Sequence, residues 1–355
     1  MISLHQLLKS AVKQDASDLH IVSGSPPVLR VSGRIVRVKT EELTAEDTKK
    51  LCYSILTESQ KSRFEATKEL DFSFGIKNMA RFRANLFVQR GTVSGVFRRI
   101  PMKVPTTDEL GLPASIVNLV HFPSGLVLVT GPTGSGKSTT IAALVDKINS
   151  EKRGHIITLE DPIEYVHEHK NCIINQREVG TDTVNFKTAL KHVLRQDPDI
   201  CLMGELRDLE TIEAALTIAE TGHLVFATLH TNSAIQTINR LVSVFPHDQQ
   251  DRIRAQLSFT LNAIVSQRLI PGLRDGQIVA MELLSMNSSV RNLIRENKLH
   301  QVYGMMQVGQ DKSGMVTMNQ ALANLVLKRK IDIRNAFVVS TDPDELDKLL
   351  KKAGV

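Results

Sequence analysis

Cysteine is scarce in this chain of 355 residues, and its cysteines lie far apart without forming a C-x-x-C pair. They are Cys52, Cys172 and Cys201. An odd and widely spaced set argues against a disulfide framework and against a structural zinc site. We therefore expect buried thiols in a protein that works in a reducing compartment.

Long hydrophobic runs are also absent. No apolar run approaches the roughly 20 residues that a helix needs to cross a bilayer. The N-terminus lacks the basic start and the continuous apolar stretch of a secretory signal. These absences predict a cytoplasmic protein that reaches a membrane only through its partners.

Charge is not concentrated anywhere along the chain. The net charge is +6 at pH 7, and Lys and Arg are scattered among Asp and Glu. A scattered surplus is typical of a solvated surface, so no nucleic-acid partner is expected. Apolar residues make up 42% and charged residues 23%, without low-complexity segments. This composition predicts a globular protein rather than a disordered one.

The first hundred residues have the pattern of a small α/β module, in which an amphipathic helix precedes several short strands. The clearest strand is 81–88, which alternates between two faces. Its apolar face contains Phe82, Ala84, Leu86 and Val88. Arg81 and Arg83 lie on the opposite face, so a half-buried strand would expose two arginines in a row.

The pattern changes after residues 101–113, which contain three prolines and indicate a linker. Beyond them, short apolar runs alternate with helical segments, as in a parallel sheet with crossover helices. The runs are 126–130, 155–159, 200–203, 224–229 and 277–284. We predict an N-terminal domain at 1–100, an α/β domain at 114–285 and a helical C-terminal region at 286–355.

One segment fits the pattern G-x-x-x-x-G-K-[ST] of a phosphate-binding loop. It consists of Gly131, Pro132, Thr133, Gly134, Ser135, Gly136, Lys137, Ser138 and Thr139. An apolar run precedes it and helical spacing follows, so that backbone N–H groups and the positive end of a helix can surround an anion. Lys137 is predicted to reach the β- and γ-phosphates of a nucleoside triphosphate, and Ser138 to bind Mg²⁺.

Two acidic segments follow apolar runs. Glu160 and Asp161 end the run at 155–159, at the edge where ligands bind in open α/β sheets. A carboxylate there can orient or deprotonate the attacking water; a solvated acidic turn is the alternative. Glu205 follows the run at 200–203 and resembles a Walker B element with Glu in place of Asp. Its expected role is to hold Mg²⁺, directly or through water.

Two histidines flank the run at 224–229. A lone histidine is more often structural than catalytic, but a neutral imidazole beside a triphosphate can donate one hydrogen bond to the γ-phosphate. His230 is favoured over His223 because it lies at the C-terminal end of the predicted strand. Arg207 is expected either to pair with a neighbouring acid or to reach a phosphate.

These segments, in this order, resemble the motor ATPases of type II secretion systems and type IV pili over essentially the whole chain. Residues 157–165, 199–208 and 221–231 match that family's aspartate box, Walker B element and histidine box. The resemblance implies a RecA-like P-loop ATPase domain, a smaller PAS-like α/β domain at the N-terminus, and a homohexamer that binds ATP and Mg²⁺ between these domains. It also implies basic residues that close over the phosphates, namely Arg81, Arg83 and Arg98.

Within this family, the chain resembles the members that retract pili. It lacks the cysteine-rich zinc insert of many assembly and secretion members. Residues 289–296 are close to the retraction motif A-I-R-N-L-I-R-E, with Ser289 and Val290 at its first two positions. Taken alone, this segment predicts an amphipathic packing helix. The resemblance implies that it couples the nucleotide state to retraction, with an inner-membrane platform protein of the pilus as partner.

Two alternatives stay open. An enzyme of the same class could instead drive pilus assembly or type II secretion, and the missing zinc insert argues against this. A weakly hydrolysing, nucleotide-dependent regulator is the other alternative, and a complete acidic set argues against it. That set is Glu160, Asp161, Glu164 and Glu205.

Overall fold

The computed structural model describes residues 2–31, 33–77, 79–100, 103–274, 276–308 and 314–354. Pro101 and Met102 of the predicted linker lie outside these ranges, as do residues 309–313 and 355 of the predicted C-terminal region. The chain forms two compact units. Unit 1 comprises Met1–Lys103 and Pro162–Val166, and unit 2 comprises Val104–Asp161 and His167–Val355.

Unit 1 is built from an antiparallel sheet and helices. Its strands are β1 (Ala16–Ile21), β2 (Val28–Val31), β3 (Arg34–Arg37), β4 (Glu69–Ile76), β5 (Ala80–Gln89) and β6 (Thr92–Ile100). Its helices are α1 (Leu4–Lys13), α2 (Ala45–Tyr53) and α3 (Glu58–Thr67). The strand order is β3-β2-β1-β6-β5-β4. Each helix begins with a capping box, because a Ser or Thr at the N-cap exchanges hydrogen bonds with the third helical residue.

The alternation predicted for the strand at 81–88 is largely confirmed in β5. Phe82, Ala84 and Leu86 are buried in the core of unit 1, and Arg83 is exposed on the other face. The predicted exposure of Arg81 is only partly confirmed, because its side chain is half-buried. Val88 belongs to the same face as Leu86 by alternation, but it is 38% exposed. Val88 lies one residue before the end of β5.

Unit 2 contains a mostly parallel sheet. Its strands are β7 (Gly125–Thr130), β8 (His155–Glu160), β9 (Ile173–Glu178), β10 (Ile200–Met203), β11 (Leu224–Leu229), β12 (Leu261–Pro271) and β13 (Gln277–Ser285). The spatial order is β13-β12-β7-β11-β10-β8-β9. Every neighbouring pair is parallel except β12 with β13, which is antiparallel.

The helices of unit 2 cover both faces of this sheet. They are α4 (Ala114–Val117), α5 (Lys137–Glu151), α6 (Phe186–Val193), α7 (Leu209–Glu220), α8 (Ala234–Ser243), α9 (Gln250–Thr260), α10 (Ser288–Arg295), α11 (Val302–Val308), α12 (Met318–Leu327), α13 (Ile333–Val339) and α14 (Pro343–Lys352). Short 3₁₀ segments lie at Asn118–His121, His247–Gln249 and Leu299–Gln301. In the described part of the chain, every helix is too short or too polar to cross a membrane.

The core of unit 2 explains why its strands are continuous apolar runs. In β7, Leu126 and Leu128 join a cluster with α7, α8 and α9, while Val127 and Val129 join a cluster with α5. Residues on both faces are therefore buried, as expected for a parallel sheet between two helical layers. A further cluster joins the C-terminal helices α12, α13 and α14 to the antiparallel pair β12 and β13.

Candidate active site

The predicted phosphate loop joins the buried strand β7 to α5. Gly131, Gly134 and Gly136 have φ angles of 144°, 78° and 84°, which favour glycine over residues with a side chain. The first turn of α5 has backbone N–H groups without a partner inside the helix, and these lie at the helix's positive end. The loop therefore has the backbone geometry of an anion-binding site.

Lys137 is the first residue of α5 and is buried against this loop. Its Nζ donates hydrogen bonds to the carbonyl oxygens of Gly131 and Pro132, at 2.8 and 3.0 Å. The Ser135 hydroxyl is also buried, and it has no hydrogen-bond partner within the described ranges. A buried ammonium beside a buried hydroxyl fits a site that receives negatively charged phosphate oxygens.

The parallel sheet brings the other predicted residues to the same edge. Because β7, β11, β10 and β8 are consecutive neighbours in the sheet, their C-terminal ends lie side by side. His230 directly follows β11, Glu205 lies two residues beyond β10, and Glu160 ends β8. The structure therefore places these three residues along the same edge of the sheet as the phosphate loop.

His230 lies between Glu205 and the phosphate loop. Its Nε2 is 3.2 Å from Glu205 Oε1, and its Nδ1 is 3.5 Å from the Thr133 hydroxyl oxygen. These contacts suit a neutral imidazole that donates from Nε2 and accepts at Nδ1. His230 therefore connects Glu205 to the phosphate loop.

Arg207 pairs with the acids of this edge. Its Nε is 3.0 Å from Glu205 Oε2, and its Nη1 is 3.9 Å from Asp161 Oδ2. Of the two roles expected for Arg207, pairing with a neighbouring acid is the one observed. The guanidinium therefore links the residues that follow β8 and β10.

His223 lies at the opposite end of β11 from His230. Its Nδ1 is 3.1 Å from the carbonyl oxygen of Ile218 and 3.1 Å from the Thr221 hydroxyl oxygen. These contacts connect the end of α7 to the start of β11. His223 is therefore separated from the edge that contains the phosphate loop.

The predicted arginines lie in unit 1. Arg83 and Arg98 are directly opposite each other on β5 and β6, so their side chains share one face of the sheet. The Arg98 Nε is 2.8 Å from Oδ1 of the buried Asp18, and the Arg81 Nη2 donates to the Ser73 hydroxyl at 2.6 Å. Burial alone would raise the pKa of Asp18, but the hydrogen bonds from Arg98 and Ser17 outweigh it and lower this pKa.

The sequence analysis missed a residue that supports the phosphate loop. Gln267 of β12 is buried, and its Nε2 donates to the Ser135 carbonyl oxygen at 2.6 Å. The backbone carbonyl oxygen of Gln267 would lie 2.4 Å from a Cβ on Gly131, so a side chain at position 131 would collide with this oxygen. No local signal in the sequence marks Gln267, because Asn262, Ser266 and Arg268 are polar residues of the same segment.

The donor set at this edge fits Mg²⁺. Within the ranges that the structure describes, no group of three or more His, Cys, Asp or Glu could hold a metal ion by itself. A Mg²⁺ site at a phosphate loop needs no such group, because the ion keeps several waters and takes oxygens from the substrate phosphates. The Ser138 hydroxyl in the first turn of α5 and the Glu205 carboxylate are suitable protein donors.

The fold and the site together define a P-loop nucleoside triphosphatase, with its phosphate loop at the carboxyl edge of a parallel sheet. Residues 1–336 match the family described as type II/IV secretion system protein, and the chain belongs to that family. This confirms the predicted RecA-like architecture and the ATPase class.

Individual members of this family are similar to the chain over most of its length. The chain is 48% identical to the type IV pilus retractation ATPase PilT of Pseudomonas aeruginosa, over 94% of this chain and 97% of that protein. It is 45% identical to a twitching motility protein of Neisseria gonorrhoeae, over 91% of this chain and 87% of that protein. A crystal structure of the pilus retraction motor PilT with bound ADP superimposes with a TM-score of 0.93 at 50% identity, covering 98% of this chain and all of that chain. The predicted resemblance to pilus retraction ATPases is confirmed.

Proposed function

We propose that this chain is a motor ATPase whose Mg²⁺-dependent hydrolysis of ATP powers the retraction of type IV pili in twitching motility. One observation carries the proposal. The phosphate loop, Glu160, Glu205 and His230 lie on adjacent strand ends in a chain that matches pilus retraction ATPases over nearly its whole length.

In this proposal, the residues of the edge divide the work of phosphoryl transfer. Residues 131–139 bind the triphosphate through backbone N–H groups, with Lys137 on the β- and γ-phosphates. Glu160 orients the attacking water and accepts its proton. Mg²⁺, held by Ser138 and by Glu205 directly or through water, would neutralise charge on the phosphates.

His230 reports the state of the γ-phosphate in this scheme. Its Nε2 faces Glu205 and its Nδ1 faces Thr133 of the loop. A γ-phosphate at the loop competes for the one proton that a neutral imidazole donates. When hydrolysis removes the γ-phosphate, His230 would change its hydrogen-bond partner. This change would alter the segment that leads into α8.

The basic residues of unit 1 complete the proposal. Arg81, Arg83 and Arg98 are proposed to close over the phosphates when the predicted N-terminal domain, 1–100, moves on the predicted linker, 101–113. An arginine that reaches the transferred phosphate in related enzymes raises the rate on the order of 10³–10⁵-fold. Such closure would make hydrolysis depend on domain motion.

The motor is proposed to work as a homohexamer in the cytoplasm, at the inner-membrane base of the pilus machine. It would grip an inner-membrane platform protein, with the ATPase domain at 114–285 and the helical region at 286–355 carrying the force. Residues 289–295 of the segment 289–296 lie in α10, with Val290 and Ile294 buried. Its likeness to the retraction motif supports a coupling role for this helix.

Complementation of a gene deletion tests the proposal. Deleting the gene from its host should leave cells piliated but unable to twitch, and the wild-type gene should restore motility. Glu160→Gln should not restore it, and the purified variant should bind ATP while losing about 10²–10⁴-fold in kcat, since the amide cannot accept the water's proton. The matched control is Glu168→Gln, an exposed glutamate eight positions away.

Three results would contradict the proposal, each in a different way. Bald deletion cells would indicate pilus assembly instead of retraction. Full ATPase activity in Glu160→Gln would remove that residue from catalysis. Wild-type protein without ATPase activity, even as the purified oligomer with Mg²⁺, would leave a nucleotide-dependent regulator.

A further inference from the structure

The carboxylate of Glu160 receives hydrogen bonds from two other side chains. The Thr158 hydroxyl donates to Glu160 Oε1 at 2.6 Å, and the Gln176 Nε2 donates to the same oxygen at 3.2 Å. Thr158 is fully buried two positions earlier on β8, and Gln176 lies on the neighbouring strand β9. Two donors on one oxygen restrict rotation of the terminal carboxylate, which otherwise turns in a broad well.

The Gln176 side chain is oriented by a backbone group. Its Oε1 accepts a hydrogen bond from the His167 backbone N–H at 2.8 Å. Because the oxygen end of the amide is occupied by this donor, the nitrogen end points to Glu160. The hydrogen-bond network therefore assigns the two ends of the amide.

The segment that orients Gln176 is attached to α5, the helix of the phosphate loop. The buried Asn149 of α5 donates from Nδ2 to the Glu168 carbonyl oxygen at 2.7 Å. Its Oδ1 accepts from the backbone N–H groups of Lys170 and Cys172, at 3.2 and 3.3 Å. Side-chain bonds thus run from the phosphate-loop helix, through residues 167–172, to Gln176 and on to Glu160.

We propose that Thr158 and Gln176 are positioning residues that fix the Glu160 carboxylate relative to the phosphate loop. Neither side chain is assigned contact with ATP or with the attacking water; both act through Glu160. The inference rests on the proposed function, because it assumes that Glu160 orients the water. Small displacements of a catalytic group matter, since a misplacement of about 1 Å can cost on the order of 10²-fold in rate.

Substitution of Thr158 tests this role directly. Thr158→Val keeps the size and burial of the side chain but removes the donor. It should lower kcat roughly 10–100-fold and leave the KM for ATP within about twofold, because ATP binding does not involve this hydroxyl. Thr158→Ser restores the donor and should restore most of kcat. Thr48→Val, a buried threonine of α2 whose hydroxyl donates within its own helix, is the matched control and should keep wild-type kcat.

Gln176→Met offers an independent route to the same conclusion if Thr158→Val folds poorly. It removes the second donor at similar length, on a partly exposed strand. Thermal unfolding and the oligomer mass of each variant show whether the fold is kept. Loss of kcat with an unchanged unfolding midpoint is the expected result.

A double substitution separates this inference from the proposed function. In the Glu160→Gln background, Thr158→Val should cause no further loss, because its effect is transmitted through Glu160. If Glu160→Gln is inactive while both Thr158→Val and Gln176→Met keep wild-type kcat, the positioning role is wrong and the proposed function stands. If Glu160→Gln itself is fully active, the proposed role of Glu160 in catalysis is wrong, and the positioning role that depends on it is wrong as well.

Discussion

At the scale of single residues, His167 is buried as a neutral imidazole beside α5. Burial lowers the pKa of His167 from 6.5 to about 4. The negative charge of Asp146, whose Oδ1 is 4.0 Å from His167 Nδ1, raises this pKa and so opposes part of the shift. Lys170 adds a positive charge that lowers the pKa further. The folded protein therefore resists protonation of His167 in a pH range where the unfolded chain accepts the proton.

This difference predicts that stability falls as the pH is lowered from 7 to 5. Over that interval the unfolded state binds more protons than the folded state, so the free energy of unfolding should lose about 2 kcal/mol through this residue. His167→Gln should be less stable than wild type at pH 7 but should lack this part of the pH dependence. Urea unfolding followed by circular dichroism at both pH values measures it.

The exposed His121 provides the control for this experiment. Its replacement by Gln should leave the pH dependence of unfolding as in wild type. Equal pH dependence in His167→Gln and in wild type would contradict the assignment to His167.

Residues inside a contiguous motif were predictable from the sequence, whereas their supporting partners were not. Lys137 and Glu160 are marked by glycines, apolar runs and a proline nearby in the sequence. Gln176 is 16 positions from Glu160, and Gln267 is 132 positions from Ser135. Nothing local to a glutamine indicates a partner that only strand pairing brings close, so these supports became visible with the sheet order.

At the scale of secondary structure, the strands that are buried on both faces were the most predictable. β10 and β11 have the bounds of the apolar runs 200–203 and 224–229. Both lie in the middle of the sheet, where helices cover both faces, so every residue is buried and is apolar or small.

β9 and β12 were not predicted, for different reasons. β9 is an edge strand with only Ile174 and Glu178 buried, so it lacks a hydrophobic pattern. β12 follows α9 without a loop, and its apolar residues are equally compatible with a longer helix. The segment is a strand and not a longer helix because it pairs with β7, more than 130 positions earlier.

α10 shows how a predicted amphipathic helix is anchored. Arg291 donates through Nη1 to the carbonyl oxygens of Ser258 and Phe259 at the end of α9. Arg295 lies with its guanidinium carbon 5.8 Å from the centre of the Phe259 ring. Cations at the C-terminal end of a helix are stabilising, so both arginines attach α10 to α9.

The buried Glu282 of β13 links the starts of two helices. Its Oε1 accepts from the backbone N–H of Ala234, the first residue of α8, at 2.7 Å. Its Oε2 accepts from that of Met318, the first residue of α12, at 3.3 Å. Burial raises the pKa of Glu282, while these two donors act in the opposite direction. A carboxylate suits this position because it has two acceptor oxygens, and the backbone N–H at the start of each helix needs one acceptor.

Glu282→Gln should therefore destabilise unit 2 with little change in side-chain size. The NH₂ group of the new amide would face one of the two backbone N–H groups, and both are donors. That buried N–H would be left unsatisfied at a cost of about 1–3 kcal/mol. The free energy of unfolding, measured in urea, checks this. Glu42→Gln, at an exposed loop position, should change stability by less than about 0.5 kcal/mol. Equal stability of both variants would show that the helix ends do not depend on Glu282.

At the scale of the whole molecule, the proposed hexamer gives a direct mass prediction. Light scattering on the purified protein at micromolar concentration should give six times the 39.4 kDa of one chain. Glu160→Gln should give the same mass, because that substitution changes a carboxyl oxygen at the active edge and no apolar surface. A monomer at all concentrations, with and without ATP, would contradict the ring.

The three buried thiols make the native chain suitable for site-specific fluorescence. Burial raises the pKa of Cys52 and Cys201 to about 12, and that of Cys172 above its ordinary value. Thiolates are therefore scarce at neutral pH, and a maleimide dye will react slowly with all three. A single cysteine introduced on the exposed face of α14 can be labelled selectively. Subunit movements during ATP turnover can then be followed without first removing a native cysteine.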